Sequence, residues 1–255
     1  MRVLLTGASR GIGAAIAERL AAQGADLVLI ARDPTRLGAV AERARALGAR
    51  VEASTGDVTD AAAMAETLAR CDAAAPIDLV IANAGQSTGA GPGGRLETAA
   101  DARRMISVNL VGAINTVAPL LLPMQARGRG RIVLISSLAA IRPLPSMPAY
   151  GASKAGLRAY GIALRGALRD SGVGVTVVCP GFVATPMSAR HKGRRPFEVP
   201  VDDAAERIIR GVGNGRAFVT FPWPLAVMSW VDARLPAWLS DRLARGFAAE
   251  IRPED

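Results

Sequence analysis

An α/β fold, a doubly wound parallel sheet of seven strands with helices on both faces, is what this sequence predicts, and three observations predict it. Short apolar runs alternate with helix-period patterns along most of the 255 residues, as strands and crossover helices do in a parallel sheet. A glycine-rich turn, Gly7-Ala8-Ser9-Arg10-Gly11-Ile12-Gly13, lies directly between the first run and the first helical pattern. Hydrophobic residues make up 50% of the chain, enough to fill one large core, and the length is short for two substantial domains. One domain over 1–255 is therefore expected.

In chain order, Val3–Thr6 reads as the first strand. Ile12, Ala15, Ile16 and Leu20 then recur at helical spacing, with Gly24 placed for a C-terminal cap. Strands follow at Asp26–Ala31, Arg50–Ser54, Asp78–Ala82, Arg131–Ser136, Val173–Val178 and Ala217–Thr220. Helices are expected at Leu37–Leu47, Ala61–Cys71, Thr98–Gln125, Pro148–Asp170 and Asp202–Val212, with Pro119 and Pro123 kinking or ending the long one. Two loops break the alternation: Gly-rich Gln86–Arg95 and basic Phe182–Pro200. Both follow strand C-termini, where ligands bind in open α/β sheets, and 182–213 reads as a substrate loop and lid. Residues 221–255 read as a helical extension that holds all three tryptophans and is divided by Pro236.

Composition narrows the function classes. The net charge is +9, but the arginines are scattered and aromatics are only 4%, so a solvated basic surface is expected rather than a nucleic-acid interface. Two distant cysteines and one histidine predict neither a disulfide nor a metal site. The chain begins in its first strand, and no apolar stretch reaches the roughly 18 residues of a membrane span, so a cytoplasmic location is expected.

The glycine turn has the chemistry of a pyrophosphate seat. Gly7, Gly11 and Gly13 let backbone N–H groups and a helix N-terminus approach an anion without Cβ obstruction. At the end of the second strand stands Ala31, where NAD enzymes commonly place an acid, and Arg32 follows. Arg32 and Arg10 converging on one phosphate favour NADP(H). Asp33 keeps NAD(H) possible, although Asp33-Pro34 reads better as a helix N-cap and first turn. Asp57-Val58 could line the adenine pocket, and Asn83 of Asn83-Ala84-Gly85 could cross-link backbone under the site.

Tyr150 and Lys154 are i and i+4 on one helix, and Ser137 lies 13 residues upstream of the tyrosine, just past the fifth strand. A free phenol titrates near 10, so a nearby ammonium and an oxidised nicotinamide would be needed to lower it into the working range. Ser137 would hold the substrate oxygen. A dinucleotide seat with such a tyrosine points to hydride transfer between a carbonyl and an alcohol.

Together these motifs resemble the short-chain dehydrogenase/reductase family, over roughly residues 1–220. The resemblance implies a Rossmann-type fold and a tetrad of Asn109, Ser137, Tyr150 and Lys154, with Asn109 supporting a proton relay and Lys154 also holding the nicotinamide ribose. It implies cofactor contacts from Gly7 to Gly13, including Ser9 and Ile12, and from Asp57, Val58, Asn83, Ala84 and Gly85. Pro180, Gly181, Val183 and Thr185 would orient the nicotinamide carboxamide. Ala82 departs from the family's paired asparagines.

The substrate is expected to be a small apolar carbonyl or alcohol, from Gln86, Ser87, Leu138, Leu144, Phe182, Met187 and Phe197 in the flanking loops. No basic side chain stands where a carboxylate anchor is expected. The run His191-Lys192-Gly193-Arg194-Arg195 reads as a solvated lid or as a contact for an acidic carrier in 3-oxoacyl reduction. The tryptophan-bearing tail covers the pocket or a subunit contact; membrane contact is possible but not favoured. A homodimer or homotetramer is expected, since Gly151, Ala155, Gly156, Ala159 and Ala163 suit close helix pairing. A redox sensor without turnover is the reading from another class; a membrane-associated lipid or 3-oxoacyl reductase would share the chemistry and differ in partner.

Overall fold

A computed structural model describes residues 1–91, 95–244 and 250–251. Seven parallel strands form one sheet in the order β3-β2-β1-β4-β5-β6-β7. They are β1 (Arg2–Thr6), β2 (Asp26–Ala31), β3 (Val51–Thr55), β4 (Leu79–Ala82), β5 (Gly130–Ile135), β6 (Val173–Pro180) and β7 (Phe218–Phe221). Each expected strand is present, shifted by no more than two residues at any boundary. Parallel strands are buried on both faces, which is why Val3–Leu5 and Leu27–Ile30 are continuous apolar runs rather than alternating ones.

Helices α1 (Gly11–Ala22), α2 (Pro34–Ala46) and α8 (Val201–Gly213) lie on the face where Leu5, Ile16, Leu20, Leu29 and Ile208 pack together. On the other face, α3 (Ala61–Ala74), α5 (Gly112–Ala126) and α6 (Pro148–Ala167) bury Met64, Leu68, Val117, Leu120 and Leu157. The chain reverses strand order between β1 and β4, and that switch point opens the crevice used below.

The long helix differs from expectation. It runs without a break over 28 residues as α4 (Ala99–Ile106), a π-helical turn (Ser107–Val111) and α5. Pro119 and Pro123 lie inside α5 and do not end it. Both prolines are half-buried at its edge, while buried Thr116, Val117, Leu120 and Met124 hold the helix on the core. A π-helical turn lies upstream, at Ser107–Val111. The run is also long and apolar enough to cross a membrane by length and composition, with mean hydropathy 1.8, which no sequence stretch was expected to be. Its buried stripe packs on α3 and the sheet within the molecule.

The tail forms α9 (Trp223–Asp232) and α10 (Ala237–Ala244), separated at Pro236 as expected; α7 (Pro186–Ala189) is one turn in the lid. Of the small residues on α6, Gly151 faces Pro143 and Gly156 faces Leu110, where an added Cβ would come within 2.7 and 2.9 Å. Those two glycines thus serve packing inside the chain, while Ala159 and Ala163 stay exposed. The part of the Gln86–Arg95 loop at 92–94, and the tail at 245–249 and 252–255, lie outside the described residues.

Candidate active site

The glycine turn is held by backbone approach. Gly7 takes φ +66° and Gly11 φ +56°, conformations that side-chain-bearing residues rarely adopt. A Cβ on Gly13 would stand 2.2 Å from the Gly7 carbonyl oxygen, and one on Gly7 would stand 2.7 Å from the Ala84 Cα. Asn83 closes the floor by donating from Nδ2 to the carbonyls of Thr6 and Gly7, each at 3.1 Å. The Thr6 hydroxyl accepts from the Asn83 and Ala84 backbone N–H groups at 3.3 and 3.4 Å. The N-cap of α1 is Arg10, whose side chain makes no capping hydrogen bond to the helix. This cradle fits a dinucleotide: the first turn of a helix faces a hollow that any Cβ at Gly7 or Gly13 would disturb.

One cavity of about 770 Å³ joins this seat to the substrate side. Ser9, Arg10, Gly11 and Ile12 line it, as do Arg32, Asp57, Val58, Gly85, Pro180, Gly181, Val183 and Thr185. Asp33 caps α2, accepting from the Arg36 N–H at 2.9 Å and pairing with the Arg36 guanidinium at 3.3 Å. Burial raises the Asp57 titration, but hydrogen bonds from Thr59 and the charges of Arg32 and Arg104 bring it below the usual aspartate value. Asp57 therefore stays ionised in the cavity wall. Thr185 caps α7 through the Ser188 N–H at 3.2 Å, and an added Cβ on Gly11 would lie 3.4 Å from the Thr185 methyl.

Ser137, Tyr150 and Lys154 come together at the middle of the cavity. Lys154 is buried, and its Nζ donates to the Ile135 carbonyl at 2.8 Å while lying 5.9 Å from the Tyr150 ring centre. Ser136 donates to the Lys154 carbonyl at 2.8 Å and thereby fixes α6 to β5. The neighbouring Ser137 hydroxyl lines the site: it accepts from the Ala139 N–H at 3.1 Å, donates to the Pro180 carbonyl at 3.5 Å, and is near enough to the Tyr150 phenol to influence its titration. Burial pushes the phenol above its ordinary value, with Ser137 pulling the other way. In the chain by itself burial thus sets the direction for both groups, bringing the Lys154 titration from 10.5 down to about 8.

Asn109 is fully buried in the π-helical turn and does not line the cavity. Its Oδ1 accepts from the Gln86 N–H at 2.9 Å, and its Nδ2 donates to the Gln86 carbonyl and the Ser153 hydroxyl, each at 3.0 Å. Ser153 in turn donates to the Tyr150 carbonyl at 2.8 Å. Asn109 thus ties the loop after β4 to the tyrosine's helix, and a Cβ on Gly85 would sit 3.2 Å from its Oδ1 and 3.5 Å from the Lys154 Nζ.

On the substrate side Gln86, Ser87, Leu138, Leu144, Phe182 and Met187 line the cavity as expected, but Phe197 does not. Phe197 is 53% exposed at φ +56°, turned out by the bend that leads back to Val199, which bridges to Val183. The basic run is divided: His191 is buried in the wall, Arg195 pairs with Glu198 at 2.9 Å, and Lys192 is exposed. Contrary to expectation an arginine does line the cavity, Arg142. Its guanidinium is engaged by Asp232 and by the carbonyls of Pro143 and Ser240, which binds α9 and α10 to the loop after β5. Leu225, Met228, Val231 and Leu235 complete the wall, as the tail's apolar spacing allowed. Nothing local in the sequence marks Arg142, because its partners lie about 90 residues downstream.

Comparison with known proteins agrees with this geometry. The short chain dehydrogenase family model matches residues 1–195. A protein of Myxococcus xanthus named as an uncharacterized oxidoreductase is 39% identical over 243 residues, 95% of each chain. Among solved structures, a short-chain dehydrogenase from Sphingobium yanoikuyae in complex with NADPH is 32% identical with TM-score 0.79, covering 96% of this chain and 93% of that one. The bulky-bulky ketone specific alcohol dehydrogenase from Comamonas testosteroni is 26% identical with TM-score 0.77, covering 96% and 90%. The chain belongs to the short-chain dehydrogenase/reductase family and is an NAD(P)-dependent oxidoreductase.

Proposed function

We propose that the protein interconverts a carbonyl and an alcohol on an apolar substrate, uses NADP(H), and has Tyr150 as its general acid and base. The observation that carries this is that Ser137, Tyr150 and Lys154 line the same cavity as the glycine seat, with the Lys154 ammonium 5.9 Å from the Tyr150 ring centre. Bound nicotinamide supplies or accepts the hydride. Ser137 holds the substrate oxygen, and Tyr150 gives it a proton in reduction or removes one in oxidation. A phenol kept protonated by burial suits the reductive direction. Lys154 holds the nicotinamide ribose and, as an ammonium, favours the tyrosinate left after proton transfer; Asn109 positions the loop and helix around them and supports the relay. The glycine turn, Asp57-Val58 and Asn83-Ala84-Gly85 seat the adenosine and pyrophosphate, and Pro180 to Thr185 orient the nicotinamide.

The preference for NADP(H) over NAD(H) rests on Arg10 and Arg32 in the cavity wall and on Asp33 being engaged as a helix cap. The NADPH-bound relative from Sphingobium yanoikuyae supports the same choice. An apolar substrate is supported by Leu138, Leu144, Phe182, Met187 and Leu225 in the wall, and by the ketone specificity named for the Comamonas testosteroni relative. In this reading 1–255 is one catalytic domain, cytoplasmic and homo-oligomeric, with 182–213 as lid and the extension beyond 221 as pocket cover. Reduction of a panel of apolar ketones and aldehydes, with NADPH and NADH in parallel, tests it. Turnover with NADPH is expected; turnover with NADH alone, or none with either nucleotide in either direction, would overturn it.

A further inference from the structure

One wall of the substrate cavity carries buried polar atoms that the proposed chemistry leaves unused. His191, the chain's only histidine, is 7% exposed and lines the cavity, and its Nε2 has no hydrogen-bond partner among the described residues. Gln86 is 5% exposed and lines the same cavity, with its Nε2 also unpartnered. Arg190 ties the two segments together, its guanidinium donating to the Ser87 carbonyl at 3.0 Å and standing 3.4 Å from the Ser87 hydroxyl. The imidazole is fixed in place: its ring centre lies 5.1 Å from that of Phe182, and residue 191 forms an antiparallel bridge with Ile251. A polar atom buried without a partner destabilises the fold, so two of them on residues that line one cavity mark what a ligand could bring.

Burial and the Arg195 charge bring the His191 titration below its ordinary value, so the ring is neutral at pH 7. A neutral imidazole offers a lone pair at Nε2 in one tautomer and an N–H in the other, and Gln86, on the segment that Arg190 ties to this one, offers the donor N–H of its amide. A hydroxyl both donates and accepts hydrogen bonds, so it suits this pair of groups.

We propose that His191 and Gln86 form a subsite that reads a hydroxyl, so that the substrate carries a hydroxyl in addition to the carbonyl or alcohol that reacts. The inference rests on reading this cavity as the site of carbonyl–alcohol exchange. Benzylacetone, with its ring-hydroxylated and ring-methoxylated derivatives substituted ortho, meta or para, tests it. Each is scored by kcat/KM with NADPH and by calorimetric Kd. At least one hydroxyl derivative is expected to exceed benzylacetone roughly tenfold in both measures, because a polar subsite rejects a ligand lacking the matching group. Its methoxy counterpart, with no proton to give, is expected to lose that advantage.

His191→Phe keeps an aromatic ring without the ring nitrogens, and the hydroxyl-to-hydrogen ratio is expected to fall to about one. Gln86→Leu should lower the same ratio in part, and it stands as a second variant if His191→Phe does not melt cooperatively. Equal treatment of hydroxyl and hydrogen derivatives by the wild type, or a ratio that survives both substitutions, would overturn the subsite. A hydroxyl preference in Kd with no turnover of any ketone would leave the subsite standing and sink the reductase reading. Turnover without preference would do the opposite, and neither binding nor turnover would sink both.

Discussion

The nucleotide half of the cavity is made of backbone and short side chains at strand ends, whereas the substrate half is made of side chains from segments far apart in the chain. In the first half, Gly7, Gly13 and Asn83 lock together through main-chain carbonyls, and an added methyl group has nowhere to go. In the second half, the lid, the Gln86–Ala90 segment, the loop after β5 and the tail meet through Arg190, Arg142 and Ile251, and buried polar atoms remain without partners among the described residues. A cofactor common to a whole family can be held by backbone geometry. A particular substrate has to be read by side chains, and these are drawn from wherever the fold brings them.

The sharpest way to break this contrast is at Gly13. Gly13→Val should abolish NADPH binding, a loss of roughly a hundredfold or more by fluorescence titration, since its Cβ would stand 2.2 Å from the Gly7 carbonyl oxygen. Near-normal affinity would mean that the turn is pliable and the contrast false. A smaller effect is expected from Arg10→Ala with Arg32→Ala. NADPH should weaken roughly tenfold to a hundredfold and NADH by much less, as two charge-assisted contacts to one phosphate are lost. Equal weakening of both nucleotides would remove the argument for NADP(H).

The substrate half should respond differently. Arg142→Met leaves Asp232 without its ion-pair partner and frees the tail from the loop after β5. KM for an apolar ketone should rise roughly five- to tenfold while the Kd for NADPH holds within a factor of about two. Parallel changes in both would show that the two halves are not separable. The smallest effect concerns stability. Burial holds the Lys154 titration at about 8 rather than 10.5, so between these values the unfolded chain binds more protons than the native one. Native stability therefore rises over that window as pH increases. Lys154→Met should melt a few degrees above the wild type at pH 7, with the lead shrinking as pH passes from 8 towards 10.5. A constant lead would mean that the lysine titrates normally.

The same contrast explains what could be read from the chain alone. Strands were legible because buried parallel strands leave unbroken apolar runs, and the glycine turn and Tyr150–Lys154 pair because their spacing is local. Asp33 was readable as a cap from Pro34 beside it. Pro119 and Pro123 do not end their helix, since tertiary packing of Val117 and Leu120 offsets the local cost of proline there. Burial of the Tyr150 phenol, which raises its titration in the chain by itself, has no local signature in the sequence. Arg142 and the inward side of His191 were hidden for the same reason: their partners lie in distant segments. Phe197 was assigned to the pocket by composition, and a positive φ turns it out to solvent.

The account stands or falls on Tyr150. NADPH oxidation on an apolar ketone should be measured side by side for the wild type and Tyr150→Phe, with the Kd for NADPH determined for both. The expected result is turnover by the wild type, a loss of at least about a thousandfold in kcat for the variant, and a Kd within a few-fold. Retained turnover in Tyr150→Phe would contradict the proposed proton transfer outright.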